Sequence, residues 1–436
     1  MKTTTKNTHP SRINIITLGC SKNTCDSEAL AGQLSGQGLS VAHEGPGEIV
    51  VINTCGFIGD AKEQSIDVIL EQAERKRRGE IQRLYVTGCL VQRYQEELAA
   101  ELPEVDGFYN LSQLRELLSA LGADYRTSLV GERLLSTPSH YAYLKISEGC
   151  DRSCSYCAIP MIRGRHISVP MEDLVAQAEK LAQGGVKELI LIAQDLTYYG
   201  IDLYGKRCLA ELVRRLARID GIRWIRLHYA YPNGFPEDVL EVMATEPKVC
   251  KYLDIPLQHI SDRILRSMKR GSTRQKIDAL LSRIREKVPG IALRTTLIVG
   301  YPGETQEEFD ELKAWVSAQR FDRLGCFAYS EEEGTAAARL EDDVPPEEKQ
   351  RRVEELMELQ KQISYENNQA RVGQTLNVLI DSCNENVFMG RTEYDSPEVD
   401  NDVFIDREKW RVPVGDFVKV NVTSAGLYDL FGIPVP

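Results

Sequence analysis

Three cysteines, Cys20, Cys55 and Cys89, each close a short apolar run: ITLGC, VINTC and YVTGC. They stand 35 and 34 residues apart, about the length of one strand and one helix. Helical stretches follow each of them: SEALAGQLSGQG, AKEQSIDVILEQAERKR and LVQRYQEELAAEL. Strand–helix alternation of this kind predicts a parallel α/β sheet. All strands of such a sheet point one way, so their C-terminal ends line one edge, where open α/β sheets bind ligands. Three cysteines remote in sequence thereby become neighbours. The competing reading is three unconnected core thiols, since free cysteine is often buried. These three, however, sit beside glycine at turns and not in mid-strand. Cys25, five residues past Cys20, competes with it as a ligand but falls inside the following helix, so Cys20 is preferred.

A second trio is written locally. CDRSCSYC places Cys150, Cys154 and Cys157 at C-x3-C-x2-C, in a loop after the strand YLKIS. Cubane iron–sulfur clusters are held by cysteine thiolates, and three sulfurs on one loop can cap one face of a cube. Zinc would want a fourth ligand, usually from a second pair, and neither that pair nor a suitable histidine follows. The chain has eleven cysteines. In a reducing compartment metal or catalysis explains them better than disulfides. Cys208, Cys250, Cys326 and Cys383 have no partners at ligand spacing and read as structural. His259, in PLQHIS, is the histidine closest to the expected site, though a structural role explains it better.

The 436 residues suggest about three domains. The first, 1–137, holds the three-cysteine sheet and ends at STPSH. The second, 138–368, shows six candidate strands (YLKIS, KELILIA, IRWIRLHY, CKYLDIPL, ALRTTLIV and RLGCFAY), which predicts an open, partial (β/α)6 barrel with its chemistry at the strands' C-terminal ends. A long polar helix after two prolines connects it onward. The third, 369–436, alternates apolar and polar residues, as in FVKVNVT, and predicts a small β-barrel. Hydrophobic residues are 42% and charged ones 27%, ordinary for a soluble protein. The polar opening MKTTTKNTHPSR has no leader-like apolar region, and no run reaches the roughly 18 apolar residues of a membrane span. A cytoplasmic protein is expected. The net charge of −12 disfavours nucleic acid and suits a basic partner.

C-x3-C-x2-C with Tyr156 before the last cysteine resembles the signature of radical S-adenosylmethionine enzymes. The resemblance implies a [4Fe–4S] cluster on Cys150, Cys154 and Cys157, with its fourth iron chelated by S-adenosylmethionine. It also implies reductive cleavage of that cofactor to a 5′-deoxyadenosyl radical. The radical is carried by cofactors, so no catalytic side chain is assigned. Gln194 and Asp195, in IAQD, can meet the methionine amino group or a ribose hydroxyl. Gly300 and Gly303, in LIVGYPGET, allow close approach to the nucleoside. Arg294 can pair with the carboxylate, though a salt bridge to a side chain explains it equally.

Two trios together resemble the methylthiotransferases over nearly the whole chain. That implies a flavodoxin-like first domain, a radical barrel and a TRAM-like barrel. It also implies a second [4Fe–4S] cluster on Cys20, Cys55 and Cys89, carrying the sulfur that becomes a methylthio group. YLKISEGCDRSCSYCAIPMIRGR, RLHYAYPNGFPEDV and YDSPEVDNDV look like the RimO branch, which modifies an aspartate β-carbon of small-subunit ribosomal protein twelve. From Arg371 onward six basic residues face eleven acidic ones, which suits a basic ribosomal protein better than a phosphate backbone. The resemblance implies a transferase, served by a low-potential flavodoxin or ferredoxin, and we expect a monomer. The MiaB branch, acting on a tRNA adenosine, is the alternative. A non-catalytic iron–sulfur carrier is a third, but it has no use for an S-adenosylmethionine barrel.

Overall fold

The structure is a computed structural model that describes residues 12–436. The polar stretch 1–11, which carries most of the opening read above for a leader, lies outside them. The chain divides into two compact units. The first comprises 12–136 together with 158–165, and the second 137–157 together with 166–436. Eight residues within the second expected domain, 158–165, join the first unit.

The first unit contains β1 (Ile13–Thr17), α1 (Ser21–Ser35), β2 (Val41–His43), β3 (Ile49–Thr54), α2 (Gly59–Arg77), β4 (Arg83–Gly88), α3 (Cys89–Glu101), β5 (Gly107–Tyr109), α4 (Leu114–Ala120) and α5 (Ile159–Arg163). The sheet order is β2-β1-β3-β4-β5, parallel throughout. This is the flavodoxin-like order, whose direction of winding reverses between β1 and β3. Alternate strand residues feed two cores. Ile13, Ile15 and Val51 pack with Leu30 and Leu34 of α1. Val50, Ile52 and Val86 pack with Ile69 of α2 and Leu98 of α3.

The second unit begins with β6 (Tyr141–Lys145), β7 (Ser147–Glu148), β8 (Ile167–Ser168), α6 (Met171–Gln183), β9 (Glu188–Ile192), α7 (Ile201–Tyr204), α8 (Leu209–Ala217) and β10 (Trp224–Leu227). It continues with α9 (Glu237–Thr245), β11 (Val249–Asp254), α10 (Asp262–Ser267), α11 (Arg274–Lys287), β12 (Ala292–Val299), α12 (Gln306–Gln319) and β13 (Arg323–Ala328). The six expected strands form one open sheet, β13-β12-β11-β10-β9-β6, all parallel. Local signals set the helix starts: Thr305 and Glu308 form a capping box on α12, and Ser261 caps α10. The antiparallel pair β7/β8 closes the base of the loop carrying the second cysteine trio.

The connector α13 (Pro346–Gln369) is more than a spacer. Its Gln360 donates to the Phe321 carbonyl (2.9 Å), and Arg352 pairs with Glu304 (2.7 Å), so the helix is part of the barrel wall. Beyond it β14 (Thr375–Cys383), β15 (Val387–Thr392), β16 (Val403–Asp406), β17 (Phe417–Ala425) and β18 (Leu430–Pro434) close a small barrel in the order β14-β15-β16-β18-β17.

This small barrel seats on the strand starts of the open sheet. Trp224, Cys250, Tyr252 and Ala292 pack with Leu379, Tyr394 and Phe417. Buried Glu188, at the start of β9, accepts from Arg226 (2.7 Å) and from Arg391 of β15 (2.8 Å). Removing one member of such a buried set leaves an uncompensated charge, at about 3–5 kcal/mol. Asp381, Asp395, Asp400 and Asp416 are likewise engaged with His140, Arg323, Arg294 and Lys187. Four of the eleven acidic residues counted above thus balance charges within the unit, so the total overstates what the small barrel offers a basic partner. His140, the end of the expected linker, is buried in the same network. Among the described residues no helix is long and apolar enough to cross a membrane.

Candidate cluster and cofactor site

The first trio stands where the alternation places it. Cys20 precedes α1 as its N-cap residue, Cys55 follows β3, and Cys89 opens α3. Each lies at the C-terminal end of one of three adjacent strands, β1, β3 and β4. Gly19 and Gly88 have φ of +89° and +105°, a conformation that glycine adopts freely. A Cβ on Gly19 would lie 2.7 Å from the Cβ of Cys55, and one on Gly88 would lie 2.5 Å from the Asn53 Oδ1. Both turns therefore exclude a side chain, which lets the strand ends close up. Burial pushes the Cys55 and Cys89 pKa values up, and a neighbouring charge on Cys20 adds to both.

Two polar residues that sequence reasoning missed brace this trio. Asn23, fully buried, donates from Nδ2 to the Leu18 carbonyl (2.7 Å) and the Thr54 carbonyl (3.0 Å). It thus ties the ends of β1 and β3. Its Oδ1 accepts from Arg163 (2.5 Å), and Arg163 also donates to the Cys89 sulfur (3.2 Å) and to Asp26 (2.6 Å). Arg163 belongs to α5, whose Ala158 and Ile162 pack on Cys89 with Phe57 and Leu111. Only its place in MIRGR, inside a quoted stretch of the resemblance, marked it. Cys25 is buried inside α1, with Arg133 near its sulfur (3.6 Å).

The second trio lies in the loop that leaves β7. The Arg152 N–H donates to the Cys150 sulfur (3.4 Å) and the Cys157 N–H to the Cys154 carbonyl (3.2 Å). Arg270 approaches the Cys154 sulfur (3.5 Å) and the Tyr156 hydroxyl (3.3 Å), and it donates to the Pro256 carbonyl. The Tyr231 ring lies under that guanidinium at 4.2 Å, and Arg152 faces the same ring at 4.1 Å. Tyr156 packs with Ile264, Met268, Tyr301 and Tyr329. Neither arginine carries a sequence signal of its own.

The other expected residues divide. Gln194 and Asp195 follow β9 on the cysteine side of the sheet. Gln194 donates to Glu148 (2.8 Å), and its Oε1 is buried without a hydrogen-bond partner. Asp195 is engaged already, by Arg152 (2.9 Å) and by the Thr197 N–H and hydroxyl (2.9 and 2.7 Å). Gly300 follows β12, and Lys349 of α13 occupies the space a Cβ there would need, 2.2 Å away. Gly303 donates its N–H to Asp343 (2.6 Å). Arg294 is not with them. It lies in the first half of β12, paired with Asp254 (3.3 Å) and Asp400 (3.4 Å), at the seam with the small barrel. His259 is buried and accepts from the Ser261 N–H (3.0 Å), a structural role.

Burial pushes the Cys89 and Cys150 thiols up to about 11 each. Thiolates at these positions need a strong positive charge beside them, which coordinated metal supplies. Among the described residues no three His, Cys, Asp or Glu side chains converge on a point for a single metal ion. Ligands of a cube bind separate irons and are spread further apart, so an all-cysteine donor set suits a cluster. The unpartnered Gln194 Oε1 leaves an acceptor beside the second trio for a cationic donor.

Residues 144–316 match the Radical SAM superfamily, 12–110 the Uncharacterized protein family UPF0004, and 372–435 the TRAM domain. A ribosomal protein uS12 methylthiotransferase RimO of Christiangramia forsetii is 59% identical over 431 residues, covering 99% of this chain and 96% of that protein. The RimO of Flavobacterium psychrophilum is 59% identical over 430 residues, with 99% of each chain covered. Among solved structures, the radical S-adenosylmethionine methyltransferase TsrM of Kitasatospora setae, with tryptophan and a SAM analogue bound, shares the fold. Its TM-score is 0.53 at 16% identity, over 72% of each chain. With two cysteine trios at strand ends, a closed TRAM barrel and relatives of this similarity along its whole length, the chain belongs to the RimO family of radical S-adenosylmethionine methylthiotransferases.

Proposed function

We propose that this enzyme adds a methylthio group to the β-carbon of an aspartate in the small-subunit ribosomal protein uS12. Cys150, Cys154 and Cys157 hold one [4Fe–4S] cluster and Cys20, Cys55 and Cys89 the other, which carries the transferred sulfur. Together with S-adenosylmethionine the clusters supply one-electron cleavage chemistry that takes hydrogen from an unactivated carbon and puts sulfur there. The protein binds and orients. Gln194 offers Oε1 to the methionine ammonium. Asp195 holds Arg152 in place beside Cys150, and Tyr156 fixes the loop between the last two ligands through its packing. Gly300 and Gly303 shape the turn after β12, which Lys349 and Asp343 hold and which would border the nucleoside. Arg294 serves the seam with the small barrel. No general base is needed, because hydrogen is abstracted as an atom.

The observation that carries this reading is the pairing of two all-cysteine trios, one at the C-terminal ends of three parallel strands and one in the loop that leaves β7, with full-length similarity to RimO proteins. We further read the protein as a cytoplasmic monomer reduced by a flavodoxin- or ferredoxin-type donor, and the small barrel as the dock for uS12. Reconstituted enzyme, S-adenosylmethionine and reductant are to be incubated with uS12 and, separately, with unmodified tRNA. A mass gain of one methylthio group on the uS12 aspartate is expected. Modified tRNA beside untouched uS12 overturns the substrate.

A further inference from the structure

Arg163 is buried, and its directed contacts in the first unit include Asp26 Oδ2 (2.6 Å), Asn23 Oδ1 (2.5 Å) and the Cys89 sulfur (3.2 Å). Two of these partners fix the guanidinium. Asn23 is itself locked by the strand-end carbonyls of Leu18 and Thr54, and α5 is packed on Cys89 through Ala158 and Ile162. The planar fork of arginine holds such geometry where a flexible ammonium would not. The third contact thus aims a cationic N–H at the Cys89 sulfur. Asn23 and Asp26 lie in the CSKNTCD stretch behind Cys20, so residues from two distant segments build the contact.

We infer that Arg163 is a positioning residue of the sulfur-carrying cluster: it donates a charge-assisted hydrogen bond to Cys89 and raises the reduction potential of the cluster held by that trio. This rests on the assignment of Cys20, Cys55 and Cys89 as ligands. Hydrogen bonds to cluster sulfurs and nearby charge are among the terms that set such potentials. Withdrawing density from one thiolate favours the more negative, reduced cluster.

The test uses full-length protein with Cys150, Cys154 and Cys157 replaced by alanine, so that only the first trio can be loaded. Arg163→Gln and Arg163→Lys are introduced into that parent. After anaerobic reconstitution, iron content, the EPR spectrum and the midpoint potential are measured, with far-UV circular dichroism as the check on folding. The parent is expected to hold about four irons. In Arg163→Gln the reduced fraction at a fixed potential should fall about tenfold, which is 59 mV for one electron, with an altered EPR signal. Arg163→Lys keeps the charge but loses the fork, and its potential should fall part of the way. An unchanged potential and spectrum in iron-loaded Arg163→Gln overturns the inference. If the glutamine variant does not fold, an unchanged potential in Arg163→Lys overturns it instead. A folded parent without iron would overturn the ligand assignment, which is a separate failure.

Discussion

The two cysteine trios reach similar chemistry by different routes. Cys150, Cys154 and Cys157 occupy eight residues of one loop, so the chain's local course brings them together. Cys20, Cys55 and Cys89 span seventy residues and meet only once β1, β3 and β4 have paired. A local trio can tolerate strain elsewhere in its unit, whereas a trio built by topology depends on every turn that ends its strands. Both nevertheless have one arginine aimed at one sulfur, Arg163 at Cys89 and Arg270 at Cys154. What the two trios share is a guanidinium beside a cysteine sulfur, whichever way the cysteines are gathered.

The largest effects should come from removing each trio in turn. Replacing Cys150, Cys154 and Cys157 by alanine should remove about half of roughly eight irons and abolish 5′-deoxyadenosine formation. Replacing Cys20, Cys55 and Cys89 should remove the other half and leave reductive cleavage intact, with no methylthio product. Iron analysis and product chromatography check both. If either triple variant lost all its iron, the two sites would not be independent.

A smaller perturbation separates the routes of assembly. Gly88→Ala puts a Cβ 2.5 Å from Asn53 and Thr54 atoms in a positive-φ conformation. It should destabilise the first unit by roughly 2–4 kcal/mol and deplete only the first trio's iron, read by thermal melts and metal analysis. Arg270→Gln should act on the other side, taking a donor from the half-buried Tyr156 hydroxyl and Pro256 carbonyl at about 1 kcal/mol. It should slow 5′-deoxyadenosine formation while iron in the first trio stays at the parent level.

The smallest effect tests what the trios share. Burial disfavours the thiolate, so the pKa values rise to about 11 at Cys89 and Cys150. In metal-free protein near pH 8 about one thiol in a thousand is ionised. Alkylation by iodoacetamide, followed by mass spectrometry at each residue, should therefore be slow. It should accelerate about tenfold per pH unit up to pH about 11 at both positions. Rapid labelling of one and not the other at pH 8 would end the parallel.

Much of this was legible beforehand. Apolar runs separated by helical stretches locate all six strands of the open sheet, because a short apolar run is a local property of the sequence. The spacing of Cys20, Cys55 and Cys89 locates the first trio, because one strand–helix unit is a fixed step along a parallel sheet. Asn23, Arg163 and Arg270 were not legible, since each acts through contacts to segments far away in sequence. Arg294 shows the opposite case: its motif left a ligand contact and a salt bridge equally open, and strand register places it at the seam, paired with Asp254 and Asp400. The acidic total of the last segment overstates the charge on offer for the same reason, since composition does not say which carboxylates are spent on internal cations.

The membership of residues 158–165 bears on how this enzyme can be dissected. A fragment ending at residue 137 would carry all three cysteines of the first trio yet lack the helix that covers Cys89 and the guanidinium that Asn23 and Asp26 receive. Such a truncation would be expected to expose an apolar wound and to take one donor from the buried Asn23 carboxamide. Expression strategies that treat the chain as beads on a string would then report on a damaged site, and the cluster chemistry is best measured in the uncut polypeptide.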